Sequence, residues 1–184
     1  RLRRQERFDL LHPGRIADQR VERLDPGSKS PGGLESRAAS LALEELAREE
    51  ESLTERISDP QLLVQLHTQL AWIELIRGKH GRVVEHYQHA HTHHNPQTLQ
   101  GPFFSFVGDP LVVALGASGV SLSLTGWLDQ GWSVVARGLA RAEELHQPSS
   151  LTFMLLYAGM VKHLRGEYDE SRRLAQKLLA LGHK

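Results

Sequence analysis

The feature that most constrains this chain is the pair of helices written into residues 151–181, LTFMLLYAGMVKHLRGEYDESRRLAQKLLAL. The first is apolar around most of its circumference. Leu151, Met154, Leu155 and Ala158 make one row, and Phe153, Leu156, Tyr157, Met160 and Leu164 make another. Such a helix must be buried between neighbours. The second, from Tyr168, carries one stripe of Leu174, Ala175, Leu178 and Leu179, with Arg172, Arg173, Gln176 and Lys177 off it. Arg165-Gly166-Glu167 supplies the tight turn between them. Pro148-Ser149-Ser150 marks the start, a serine oxygen being expected to accept from an orphan N–H of the first turn. Gly159 sits mid-helix, where it costs ~1 kcal/mol relative to alanine, so a packed helix is expected to approach it closely. A buried helix paired with a half-exposed one is the unit of a helical-hairpin solenoid.

The same unit recurs upstream. Residues 61–77 carry Leu62, Leu63, Leu66, Leu70, Ile73, Leu75 and Ile76, stop at Gly78, and are followed by Val83, Val84, Tyr87 and Ala90. Leu111 to Thr125 is another apolar helix, then Gly126, then a helix to His146. The expected hairpins therefore cover about 61–91, 111–146 and 149–182. Aligning Gly78, Gly126 and Gly166, at separations of 48 and 40 residues, places Ala71, Gly119 and Gly159 at one position seven residues earlier. Val83, Gly131 and Ser171 fall five residues later. Small residues at both places fit the crossing of two helices, so one steric demand is expected in all three hairpins.

Outside the hairpins the pattern weakens. Residues 1–33 are arginine-rich and broken by Pro13-Gly14, Pro26-Gly27 and Pro31-Gly32-Gly33, which predicts a poorly ordered arm or linker. Arg1, Arg3, Arg4 and Arg7 there read as a solvated tail. Residues 34–57 are helical in pattern, with a stripe of Leu43, Leu46, Leu53 and Ile57 and an acidic, wet face. Ser58-Asp59-Pro60 ends that helix and starts the next, Asp59 serving as cap. The segment 92–110 is irregular but holds Phe103, Phe104 and Phe106, three of the chain's five phenylalanines, and is expected to fold back on the hairpins as a binding loop. Tyr87, Arg137 and Arg141 join these phenylalanines as candidate partner contacts.

Composition narrows the function classes. The 22 basic and 22 acidic residues balance, so no charge excess points to nucleic acid. Zero cysteines remove disulfides, cysteine-ligated zinc and a thiol nucleophile, which fits the cytoplasm. No run reaches the ~18 apolar residues of a membrane span. The chain starts with arginine and is read as part of a longer protein.

No phosphate-cradling Gly-x4-Gly-Lys-Ser/Thr loop, His-Glu-x-x-His or Gly-x-Ser-x-Gly occurs, so no catalytic residue, metal or cofactor is assigned and the chain is not expected to be an enzyme. The chemical oddity is HYQHAHTHH. His86, His89 and His93 share a helical face and are the candidate metal ligands, His80 lying nearby. Without a carboxylate in the cluster, a solvated surface is the plainer expectation, and a pH-sensitive patch is the third. Trp127 and Trp132 flank one turn and are expected to pack between hairpins. Glu143-Glu144 reads as a charged helix face.

The turn Gly166-Glu167-Tyr168-Asp169-Glu170, with small residues before and after it, resembles the tetratricopeptide repeat. Trp127-Leu128 and Lys79-His80 stand in place of its acidic-Tyr pair in the other two hairpins. The run from Gly108-Asp109-Pro110 through Gly126-Trp127-Leu128-Asp129-Gln130 and His146-Gln147-Pro148-Ser149-Ser150-Leu151 is similar to the C-terminal repeats of large bacterial signalling ATPases. In that family such repeats follow an ATPase module, often with a nucleotide-cyclase, kinase or DNA-binding output domain. The resemblance covers about residues 38–182. It implies an all-α, right-handed tetratricopeptide-like solenoid serving as a non-catalytic interaction or sensor region that engages a protein or peptide, including other domains of the same polypeptide. The alternative is a small-molecule regulatory domain using the loop 103–106. Because Gly182-His183-Lys184 follows the last hairpin with no polar capping helix, self-association through that end is also expected.

Overall fold

A computed structural model describes residues 31–95 and 108–182, with side chains from residue 39 onward in the first segment. The described residues are all-helical. They form α1 (Pro31–Thr54), α2 (Pro60–Ile76), α3 (His80–His93), α4 (Pro110–Leu124), α5 (Leu128–Leu145), α6 (Pro148–Leu164) and α7 (Tyr168–Gly182). No helix among them is long and apolar enough to cross a membrane.

Pro31-Gly32-Gly33, expected to break the chain, form the first turn of α1. Proline is tolerated there because its missing N–H would have no helical partner. The rest of the basic arm, residues 1–30, lies outside the described residues. The three apolar helices all begin with proline in the first turn. Asp59 Oδ1 accepts from Gln61 N–H at 2.8 Å, and Asp109 Oδ1 accepts from Val112 N–H at 3.0 Å. Before α6 the cap is Gln147, whose side chain makes no cap bond. The serine expected to do so works elsewhere: Ser150 Oγ accepts the N–H of Asp109 at 2.9 Å, fastening the start of α4 to α6.

The three turns close alike. Gly78, Gly126 and Gly166 have φ of 72°, 97° and 76°, the left-handed region that favours glycine. Each glycine N–H donates back to Leu75, Ser123 or His163, and the following N–H of Lys79, Trp127 or Glu167 donates to Glu74, Leu122 or Lys162. This double bond pattern satisfies two orphan carbonyls at a helix end and reverses the chain. The glycine alignment read from the sequence is thus an alignment of identical turns.

Helices α2/α3, α4/α5 and α6/α7 pack as hairpins, and α2, α4 and α6 touch in succession. Both α3 and α5 also pack on the apolar helix that follows them, and α1 lies on α2. The core runs between the second and third hairpins through Val112, Val120, Val135, Met154, Tyr157 and Val161. Tyr157 fills the space at Gly116, where a Cβ would stand 2.6 Å from its Cε2; Met154 fills the space at Gly138. Trp132 is half-buried beneath Lys162 of α6, 3.8 Å from ring centroid to Nζ, so it bridges hairpins as expected. Trp127, 43% exposed, does not.

Two expectations need correction. Gly159 is not a site of tight approach: a Cβ there would find its nearest neighbour at 3.9 Å, ordinary contact. At Gly119 and Gly131, by contrast, added Cβ atoms would lie 2.8 Å from Gly131 O and 2.6 Å from Gly119 O. The α1 stripe is also narrower than expected. Ala47 and half-buried Leu43 pack on Leu70 and Ile73, whereas Leu46 and Leu53 stay exposed, because α1 lies along α2 and its far side has no helix against it.

Candidate functional site

Two places in the fold depart from an inert helical stack, one at each end. The first is the histidine cluster. Helix α3 runs to His93, so His86, His89 and His93 do share a face, but that face is turned inward onto α2. There His67, which sequence spacing did not single out, lies among them. Its ring stacks against His86, His89 and His93 at centroid distances of 5.5, 4.8 and 6.2 Å. His67 and His86 are both buried, with their Nδ1 atoms 3.3 Å apart. One imidazole must donate and the other accept, so the two rings cannot both be protonated at Nδ1 while the contact lasts. Burial pushes His86 down to about 3 and His67 to about 4, with neighbouring Arg82, His89 and His93 acting in the same sense. A carboxylate does approach, contrary to the sequence expectation: Glu51 of α1 stands 3.9 Å from His86 Nε2 and pairs with Arg82.

The arrangement therefore replaces part of the expected solvated surface with a polar core of His67 and His86, while His89 stays exposed and His93 half-buried. Stacked rings present their faces to one another, and among the described residues no three ligating groups converge on one point. His80 is apart from the stack, its Nδ1 3.3 Å from Ser121 Oγ of α4.

The second place is the outer side of the last hairpin. The stripe on α6 of Leu156, Met160 and Leu164 is 46%, 43% and 39% exposed. Together with Leu124, Leu155, Ala175 and Leu178 it lines an apolar groove of about 380 Å³, with Gly159 and Ser171 also in its wall. The turn register explains why these side chains are bare. Leu156 and Met160 stand where Gly116 and Val120 stand in α4, ten and six residues before the turn glycine. Ala175, Leu178 and Leu179 stand where Val135, Gly138 and Leu139 stand in α5. In the second hairpin those positions are covered by α6: Val120 is 1% and Val135 0% exposed. In the third, Leu179 is 65% exposed and Ala175 is exposed as well. The row two residues before each turn glycine, Ile76, Leu124 and Leu164, is exposed in every hairpin and is a shared surface instead.

The remaining candidates sort plainly. Tyr87 is 3% exposed, its hydroxyl accepting from Arg137 Nη2 at 3.4 Å, so its ring is core and not contact surface. Arg141 donates to both oxygens of Asp109, at 3.2 and 2.8 Å, and its Nη2 lies 2.9 Å from His94 Nε2, which ties α5 to the start of α4. Phe103, Phe104 and Phe106 lie outside the described residues. Glu143 and Glu144 are exposed, as a charged face would be. Among protein families, curated proteins and solved structures, no match to this chain is found.

Proposed function

We propose that this chain is a protein-interaction region, a tetratricopeptide-like right-handed solenoid that binds a helical segment of a partner in the groove of its last hairpin. In the full polypeptide it acts as the scaffold or ligand-responsive regulatory part of a cytoplasmic bacterial signalling ATPase, without catalysis of its own. The observation that carries this reading is that Leu156 and Met160 are bare in an apolar groove, whereas their counterparts one hairpin earlier, Gly116 and Val120, are covered. An amphipathic helix with apolar side chains at i, i+4 and i+7 matches such a groove. The identical turns support a repeat architecture.

The mechanism is steric. A partner helix seated on α6 and α7 extends the stack, and its departure releases whatever domain it carries. A panel of fluorescent amphipathic helical peptides, titrated by anisotropy, tests this. Binding that falls at least ~10-fold in Met160→Lys supports it. Equal affinity of that variant and the parent chain, or no binding by any peptide, contradicts it.

A further inference from the structure

The groove has a matching surface on the same molecule, at the opposite end. Helix α1 buries Ala47 on α2 and leaves an adjacent stripe bare: Ala42, Leu46, Glu49 and Leu53, all exposed. These positions recur at four, three and four residues, so they lie along one side of the helix. The acidic residues Glu45 and Glu50 flank them. On α7 the bare stripe beside the groove is Tyr168, Arg172, Ala175 and Leu179, again at spacings of four, three and four. Here the charged member is basic, and Arg172 meets only Asp169 at 3.9 Å, with both side chains largely in solvent. Two helical stripes of equal length, each apolar at three of four positions and opposite in charge at the fourth, suit one another in shape and sign. They cannot meet within one chain, because α1 packs on α2 at the far end of the stack from α7.

We infer that the occupant of the groove is α1 of a second copy of this chain, so that molecules join head to tail. The inference rests on the reading of the groove as a docking site and names what fills it. Leu46 and Leu53 of the incoming α1 enter between α6 and α7 against Leu156 and Met160, and its Glu49 faces Arg172. The contact continues the internal stack: the incoming helix covers the positions of the third hairpin that α6 covers in the second. The joined surfaces differ, so the association is heterologous and builds open chains or rings, not a closed two-fold pair.

Sedimentation velocity of the intact chain, from 5 to 200 µM (about the range in which modest interfaces assemble), gives the test. Concentration-dependent growth past the dimer is expected, weakened severalfold when salt rises about tenfold, because the Glu49–Arg172 contact is screened. Leu46→Lys and Met160→Lys both alter exposed positions, so both are expected to keep the helical circular-dichroism spectrum of the parent. Each alone should be monomeric. An equimolar mixture should form a one-to-one dimer and go no further, since each variant retains one intact surface. A monomeric parent chain at 200 µM, a Leu46→Lys variant that assembles like the parent, or a mixture that stays monomeric overturns the inference. If the parent is monomeric yet binds helical peptides in a Met160-dependent way, the inference fails and the interaction reading stands. If it neither assembles nor binds, both fail.

Discussion

The second and third hairpins share a turn, a spacing and a crossing position, yet one is shut and the other open. In the second, Gly119 and Gly131 bring two backbones together, Ser123 Oγ donates to Gly119 O at 2.9 Å, and Tyr157 and Met154 of the next helix close the outer side. In the third, Ser171 Oγ donates to Gly159 O at 2.9 Å, but a Cβ on Gly159 would have room and the outer side is a groove. The first hairpin closes its crossing with Ala71 and Val83, both fully buried. Register alone therefore does not make a tight crossing. The residues on both helices, and a neighbour to press on them, do.

Acidification is expected to separate the hairpins most strongly. His67 and His86 belong to the first hairpin, and their folded-state values lie below the ordinary 6.5. The unfolded chain then binds more protons, so stability rises with pH across this window and falls as pH drops from about 7 toward 4. The loss should reach at most about 4 kcal/mol by pH 5 for the two residues together, given ~1.4 kcal/mol per pH unit below 6.5 for each fully shifted group. Urea unfolding at pH 7.5 and 5.0 measures it. Hydrogen exchange should show α2 and α3 losing protection before α5 and α7. A pH-independent midpoint, or equal loss in every hairpin, would break the distinction.

A smaller effect probes the crossings themselves. Gly131→Ala pushes a methyl group onto the carbonyl of Gly119, and should destabilise by about 2 kcal/mol. Gly159→Ala meets only ordinary contacts and gains helix propensity, so it should stabilise by about 0.5–1 kcal/mol. Opposite signs in denaturant midpoints are the expected outcome. The same sign for both would mean that the third crossing is as tight as the second.

How far the sequence discloses this fold depends on what kind of fact is asked for. The turn glycines were legible because a left-handed residue after an apolar run leaves a strong local mark, and all three keep the same bonds. The proline starts were legible for the same reason. What spacing cannot convey is contact between helices far apart in the chain. Small size at Gly159 looked the same as at Gly119, although only the latter faces a glycine backbone. His67 was invisible as part of the histidine cluster because it lies nineteen residues from His86 and on another helix. Spacing marks Arg141 and Tyr87 as contact groups, whereas Asp109 and Arg137 engage them inside the fold. The groove was half legible: the stripe Leu156, Met160 and Leu164 stands in the sequence, but its bareness needed the comparison with Gly116 and Val120.

The chain's two methionines offer the most direct measurement. Met154 is fully buried where the second hairpin meets the third, and Met160 is 43% exposed in the groove. With 13C-labelled methionine methyl groups, an NMR titration follows both sites in one spectrum as an amphipathic helical peptide is added, or as the chain itself is concentrated. The Met160 signal should shift and broaden while Met154 holds still. A Met160 signal unchanged throughout, or both signals moving together, would contradict a docking surface on the last hairpin.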